Sequence, residues 1–247
     1  MHRPSSQMTA VELPARRVDL GGARYNPAVA LFFPHGAQSP SDVADTATCI
    51  SPANGQTVEV FGIAPATKGR LLVATPPLDD PNFDRAVIYV LEHHDDGAVG
   101  VVINRPSDEA LDEPLDRWID LQTVPSSIFD GGPVEDSALI ALAHTKHGTG
   151  EDENLTTIVG DIVSADLTAD PAIVAAAVDR VRVFRGYAGW GPGQLEGEID
   201  TGAWLVLDAE TGDVFSSEPD ELWRNVLRRQ PGRLAWLANA PDDLSLN

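Results

Sequence analysis

Cysteine is nearly absent: Cys49 is the single one in 247 residues. No intramolecular disulfide and no multi-cysteine zinc site can therefore form. Basic residues are also scarce, 17 Lys and Arg against 38 Asp and Glu, for a formal net charge of −21. Residues 1–67 hold four arginines (Arg3, Arg16, Arg17, Arg24) and five acids (Glu12, Asp19, Asp42, Asp45, Glu59), so −20 of that charge falls on residues 68–247. Nucleic-acid binders draw much of their affinity from phosphates neutralised by Lys and Arg, so direct nucleic-acid contact is not expected. Long apolar runs are missing as well. A membrane span needs about 18 or more consecutive apolar residues. The cluster Ala28–Phe33 behind the arginines ends in Pro34-His35-Gly36 and is too short even for the apolar core of a signal peptide. The expected location is the cytoplasm, with no membrane partner.

What is present divides near residue 67. Residues 1–67 mix Pro, Ser, Thr, Ala and Gly without a sustained apolar period, which predicts a disordered or weakly ordered tail in which only Val29–Phe33 has docking potential. From Lys68 the texture is that of a folded domain, and 43% hydrophobic residues over the chain suffice for a core. Gly69–Ala74 reads as a strand. Arg85–Glu92 reads as another, and its continuous apolar centre Ala86–Leu91 implies burial on both faces. Asp95-Asp96-Gly97 then predicts a hairpin into Val99–Asn104. Helical spacing covers Glu109–Ile119, while Gly131-Gly132-Pro133 marks a turn within Ile128–Val134. Short strands are expected at Leu139–His144, Thr156–Val159 and Val181–Arg185. Asp170-Pro171 opens a helix to about Arg180, Pro219–Arg229 is an amphipathic helix, and Arg233–Ala240 is a short final one. Strands and helices interleave without a βαβ period, so the fold class is mixed α+β, with residues 68–247 forming a single compact domain.

Four segments, in this order and spacing, resemble the YqgE/AlgH family of uncharacterised bacterial proteins. They are Gly69–Pro76 with Asp80–Phe83, Glu92-His93 with Gly97–Pro106, Gly131–Val134, and Gly186–Glu196 with Glu198 and Trp204. The resemblance covers residue 68 to the C-terminus and leaves out the tail and the acidic loops Asp108–Asp116 and Lys146–Asn154. It implies a bifurcated sheet rolled into a pseudo-barrel and flanked by helices. It implies no activity and supplies no catalytic residues; the regulatory label sometimes attached to the family describes a role and not a mechanism.

The residues themselves offer several chemistries. Gly189-Trp190-Gly191-Pro192-Gly193 lies between a strand and a helix, yet Gln194 stands where a dinucleotide fingerprint needs glycine, Pro192 lacks an amide, and Glu196 and Glu198 repel phosphate. A structural turn explains it better, with Gly191 as N-cap, Pro192 in the first helical position and Gln194 reaching back to the cap amide. Its glycines are expected to serve backbone geometry. His93-His94-Asp95-Asp96 scatters its ligands over both faces of a strand and a turn, so no metal is expected. The sequence has no His-Glu-x-x-His, Gly-x-Ser-x-Gly or phosphate-loop motif, and no cofactor is expected either.

Glu92, His93 and Asn104 are expected to meet across the hairpin, either satisfying loop amides or working as acid, base and amide in a pocket with the amides of Gly131 and Gly132 as oxyanion donors. Arg85 and Arg105 flank the hairpin; they pair with Asp79, Asp80 or Glu92, or anchor an anion. Trp190, Trp204, Trp223 and Trp236 are expected in the core or in helix packing, Trp190 being the one its glycine neighbours cannot bury. The candidate pocket is thus Arg85, Glu92, His93, Asn104, Arg105, Gly131, Gly132, Trp190, Gln194 and Glu196. The leading function is a non-catalytic binding or regulatory module for a protein partner or a small polar ligand. A small hydrolase or transferase using Glu92, His93 and Asn104 is the alternative, and direct DNA binding through Arg180, Arg182, Arg185 and Arg224, Arg228, Arg229, Arg233 the third.

Overall fold

The computed structural model describes residues 67–76, 78, 80–147 and 152–241. Of the tail expected over 1–67, residues 1–66 and the docking of Val29–Phe33 lie outside the described residues, whereas Thr67 is buried and bonded to His93. Ten strands and a few short helices follow in chain order: β1 (Arg70–Ala74), β2 (Val87–His94), β3 (Gly97–Val102), β4 (Pro106–Ala110), a 3-10 helix (Asp116–Leu121), β5 (Ser127–Asp130), β6 (Val134–Thr145), β7 (Leu155–Val159), β8 (Ile162–Ala165), α1 (Pro171–Val174), β9 (Val178–Trp190), α2 (Gln194–Asp200), β10 (Trp204–Asp208), α3 (Thr211–Val214), α4 (Pro219–Arg228) and α5 (Leu234–Leu237). The molecule is mixed but sheet-dominated, and helices cover it only loosely.

One sheet carries the order β10-β1-β2-β3-β9-β6-β8-β7, with β5 joining β4 to β9 off this path. It curls. Val159, on the last strand of the order, packs its side chain against Gly69 at the start of β1, bending the sheet into a half-barrel. β9 is the shared seam: its end pairs with β3 (Ala98↔Trp190, Gly100↔Ala188), its body with β6 (Leu139↔Arg185 to His144↔Arg180), and Phe184 with Phe129 of β5. Thirteen residues in β9 let one strand serve all three partners.

The continuous apolar run of β2 is explained by cores on both faces. Val87, Tyr89 and Leu91 join Leu71, Val73 and Val101 under α4, which contributes Leu222, Trp223, Val226 and Leu227. Ile88 and Val90 face the other way, to Leu72, Ala188, Trp190, Trp204 and Leu195 of α2. A third core joins Val181 and Val183 of β9 to Ala141, Ala143, Val163 and Val174, with Trp118 of the 3-10 helix. Each fully buried aliphatic or aromatic side chain here contributes about 1.5–3 kcal/mol.

Several expectations change. Glu109–Ile119 is not one helix: β4 runs to Ala110 and the 3-10 helix starts at Asp116. Pro114 explains the break, since it lacks an amide donor and disfavours helical geometry before it. Asp170 caps α1 as expected, accepting from the Ala172 amide at 2.9 Å. The helix nevertheless stops at Val174, because the β-branched run from Val178 pairs with β6 instead. Trp190, Trp204 and Trp223 are buried, but Trp236 on the short α5 is 73% exposed.

Candidate functional site

His93 owes its position to a bulge. Val90 pairs with Gly100, yet Glu92 pairs with Val99, so β2 holds one residue more than β3 at Leu91. The extra residue reverses the alternation of faces beyond it. His93, paired with Ala98, therefore turns to the side where α2 lies. There Nε2 meets Glu196 Oε1 at 2.7 Å and Nδ1 meets Thr67 Oγ1 at 2.7 Å. A carboxylate only accepts, so Nε2–H donates to Glu196, and in the neutral ring the Thr67 hydroxyl donates to Nδ1. Hydroxyl, imidazole and carboxylate stand in the sequence of a nucleophilic triad. Thr67 is fully buried, however, and the imidazole side chain is 5% exposed, which leaves no approach for a substrate carbonyl.

Glu92 points to the other face. Lys68 donates to it at 2.7 Å and His94 Nε2 lies 3.1 Å from its second oxygen. Thr67 and Lys68 thus pin the chain ahead of β1 to the end of β2, one to each face.

Two residues along α2 from Glu196, Glu198 projects from the opposite side of the helix and collects three donors. Trp190 Nε1 at 2.9 Å and Trp204 Nε1 at 2.8 Å share Oε2, while Gln194 Nε2 reaches Oε1 at 2.9 Å. The indoles meet edge to face at 6.1 Å, and Phe83 covers Trp204 at 5.5 Å. Gln194 Oε1 accepts from the Gly191 amide at 3.1 Å, the reach-back expected from the sequence. The cap itself is Gly193 at φ +70°, not Gly191, and the helix begins at Gln194. Trp190 is buried by Trp204 and this carboxylate, which is the partner its glycine neighbours could not provide.

Asn104 sits at the opposite end of the hairpin. Its Oδ1 accepts from the Val87 amide at 2.8 Å and its Nδ2 donates to the Arg85 carbonyl at 3.0 Å. The turn at Asp95–Asp96 puts Glu92 and His93 near one end of an antiparallel ladder and Asn104 at the other, so the expected meeting does not occur. Arg85 donates to the Ala240 carbonyl at 3.1 Å and to that of Pro241, over the Trp223 ring at 4.9 Å. Arg105 donates to the carbonyls of Asn82 and of Asp84, the latter at 3.1 Å. Burial lowers the Arg105 pKa, opposed by Asp84, Asp130 and Asp80. Glu92 is taken by Lys68, and Asp79 lies outside the described residues.

Gly131 and Gly132 do not form an oxyanion hole. The Gly131 amide donates to the Arg185 carbonyl at 2.7 Å, and its own carbonyl accepts from Val102 at 2.8 Å. A Cβ on Gly132, at φ +148°, would overlap the Tyr187 carbonyl, and one on Gly186, at φ +66°, would overlap the Gly132 carbonyl. These glycines let the β5–β6 turn lie directly on the β9 backbone. Of the ten sequence candidates, the structure joins His93 to Glu196, Asn104 to the backbone of Arg85 and, through Glu198, Trp190 to Gln194, in separate places. Glu198, Thr67 and Lys68 were missed as members. Among the described residues no three His, Cys, Asp or Glu side chains group as metal ligands.

The family pattern described as AlgH-like matches residues 71–235. The chain belongs to the AlgH-like family. A UPF0301 protein of Streptomyces coelicolor is 51% identical over 182 residues, covering 72% of this chain and 94% of the relative. A UPF0301 protein of Mycobacterium tuberculosis is 45% identical over 191 residues, covering 75% and 95%. Among solved structures, a Corynebacterium diphtheriae protein superposes with a TM-score of 0.67 at 33% identity, covering 70% of this chain and 91% of its own. The AlgH protein of Pseudomonas aeruginosa, also UPF0301, has a TM-score of 0.54 at 29% identity, with 72% and 96% covered. His93, Glu196 and Glu198 fall inside the family match, whereas Thr67 and Lys68 precede it.

Proposed function

We propose that this AlgH-like chain is a non-catalytic binding or regulatory module that acts through contacts with a protein partner or a small polar ligand. The observation that carries this reading is the state of His93: both ring nitrogens are engaged and the side chain is 5% exposed. A general base needs a substrate proton within reach, and here both nitrogens serve the fold. The hydrolase or transferase alternative loses support because Glu92, His93 and Asn104 do not converge.

Direct DNA binding loses support for a different reason. Four of the seven arginines it requires are occupied: Arg182 is wholly buried on backbone carbonyls, Arg185 holds Glu109, Arg180 holds Asp179 and Arg229 holds Asp213. A phosphate would have to displace a carboxylate from Arg180, Arg185 or Arg229 within an acidic field. A cytoplasmic setting stays part of the proposal; no helix among the described residues is long and apolar enough to cross a membrane.

The test is a turnover screen of the full chain against activated carboxyl esters, thioesters and phosphoesters. No hydrolysis above buffer is expected. Turnover that disappears in His93→Gln would overturn the reading.

A further inference from the structure

We propose that a cleft beside β4 is the docking site for a lysine or arginine side chain presented by a partner protein; this rests on the binding-module reading and gives it a place and a chemistry. The cleft has a volume of about 320 Å³ and lies between β4, the loop leading to the 3-10 helix, and the first half of β6. Leu115, Ile128 and Leu139 supply apolar wall, and Leu139 is 42% exposed. Asp112, Glu113 and Asp136 stand around it, all exposed.

The charge on this wall is unbalanced. Arg185 is its one basic lining residue, and its guanidinium is committed to both oxygens of Glu109. The hydrogen bond to Arg185 lowers the Glu109 pKa, and the same bond raises that of Arg185. Asp112 and Glu113 remain without a cation among the lining residues, and Asp136 interacts only at a distance with the Arg185 that Glu109 already holds.

Apolar wall combined with uncompensated carboxylates complements a side chain that is aliphatic along its stem and cationic at its tip. Lysine and arginine have that construction. The volume suits one or two side chains and lies at the small end of ligand pockets. The −20 carried by residues 68–247 favours encounter with a basic partner surface and disfavours an acidic one. None of the ten residues singled out from the sequence lines this cleft.

The experiment titrates the full chain with a short acetylated peptide carrying two lysines, and with the same peptide carrying norleucine or glutamate in their place, while methyl NMR signals are followed. The lysine peptide is expected to shift Leu115, Ile128 and Leu139. It should bind at least tenfold more tightly than the norleucine peptide, and the glutamate peptide should not bind. Replacing Asp112→Asn, Glu113→Gln and Asp136→Asn together should weaken lysine-peptide binding at least tenfold. Replacing Glu218→Gln, Asp220→Asn and Glu221→Gln, which removes the same charge from α4 and its approach, should leave it within twofold. Equal losses in the two triple variants, or shifts confined to other methyl groups, would overturn the proposal. Such a failure leaves the non-catalytic reading standing, whereas His93-dependent turnover would defeat that reading whatever the peptide does.

Discussion

His93 and Glu196, 103 residues apart in sequence, meet at 2.7 Å because the bulge at Leu91 turns the end of β2 toward α2. The contact fastens a seven-residue helix to the sheet, and a helix that short has little stability of its own. Leu195 supplies the apolar part of the attachment and Glu196 the polar part.

The same imidazole holds Thr67, just ahead of β1, to the end of β2. A chain starting at Thr67 should melt within a few degrees of the full chain, since residues 1–66 lack a periodic apolar face. Starting at Arg70 should cost clearly more, because the Thr67–His93 and Lys68–Glu92 bonds go together. Thermal melting of the two truncations checks this. Equal melting points would show that these two bonds contribute nothing.

Glu198 should be among the least replaceable polar residues. Glu198→Ala leaves the Trp190 and Trp204 indole N–H groups without their acceptor, at about 1–3 kcal/mol for each buried donor orphaned. Glu198→Gln should fall between alanine and wild type, since its amide can accept from the indoles but turns an N–H toward Gln194. Urea unfolding gives the stabilities, and a red shift in tryptophan emission should accompany the loss.

How far this was legible in the sequence depends on the range of each interaction. The hairpin at Asp95-Asp96-Gly97, the amphipathic α4, the Asp170 cap and the Gln194 reach-back are local, and all were readable from neighbours a few residues apart. The Glu109–Ile119 helix failed because apolar spacing at Leu111, Leu115 and Trp118 outweighed the interruption by Pro114. β8 was overlooked although Gly160-Asp161 between Val159 and Ile162 is a two-residue hairpin signal. His93 with Glu196, and Trp204 with Glu198 and Trp190, depend on a bulge and on β9 changing partners along its length. No local pattern encodes either. Trp236 was assigned to the core or to helix packing on residue type alone, and α5 is too short to bury it.

Glycine requirements also moved from where the sequence suggested. Gly132→Ala should cost more than the ordinary glycine effect of roughly 1 kcal/mol, because Cβ meets the Tyr187 backbone rather than a side chain that can yield. Gly191→Ala should be near neutral, since a Cβ there meets only the far end of Gln194 at 3.9 Å. Melting curves of the pair check the contrast, and a reversed order would contradict the β5–β6 turn described here.

Arg182 joins three parts of the fold from inside. Its guanidinium donates to the carbonyls of Val214 at 3.1 Å, Ser216 at 3.0 Å and Val124 at 3.0 Å, and lies 4.2 Å from the Phe129 ring. Burial pushes its pKa down to about 10. A folded-state value below the unfolded one means that the unfolded chain holds the proton more tightly, so stability attributable to this group rises with pH above about 10 and is lowest below it. At neutral pH, Arg182→Met relieves that desolvation but strands three carbonyls, and a net loss of about 1–3 kcal/mol is expected. Urea unfolding at pH 7 checks it. A variant as stable as wild type would mean that desolvation cancels the bonds.

We propose that the polar residues of the family-matched segments hold the fold together and do not perform chemistry. Catalytic groups are commonly kept at a cost to stability, so removing them leaves a protein equally or more stable; structural groups behave in the opposite way. The most direct measurement is therefore the unfolding free energy of Glu196→Gln and His93→Gln in the full chain. His93→Gln is expected to lose about 1–3 kcal/mol, the cost of leaving the buried Thr67 hydroxyl unpaired, and Glu196→Gln a smaller amount, since its amide oxygen still accepts from His93 but without charge. Stability equal to or above wild type in both would contradict the claim and mark the pair as groups held in place for a reaction.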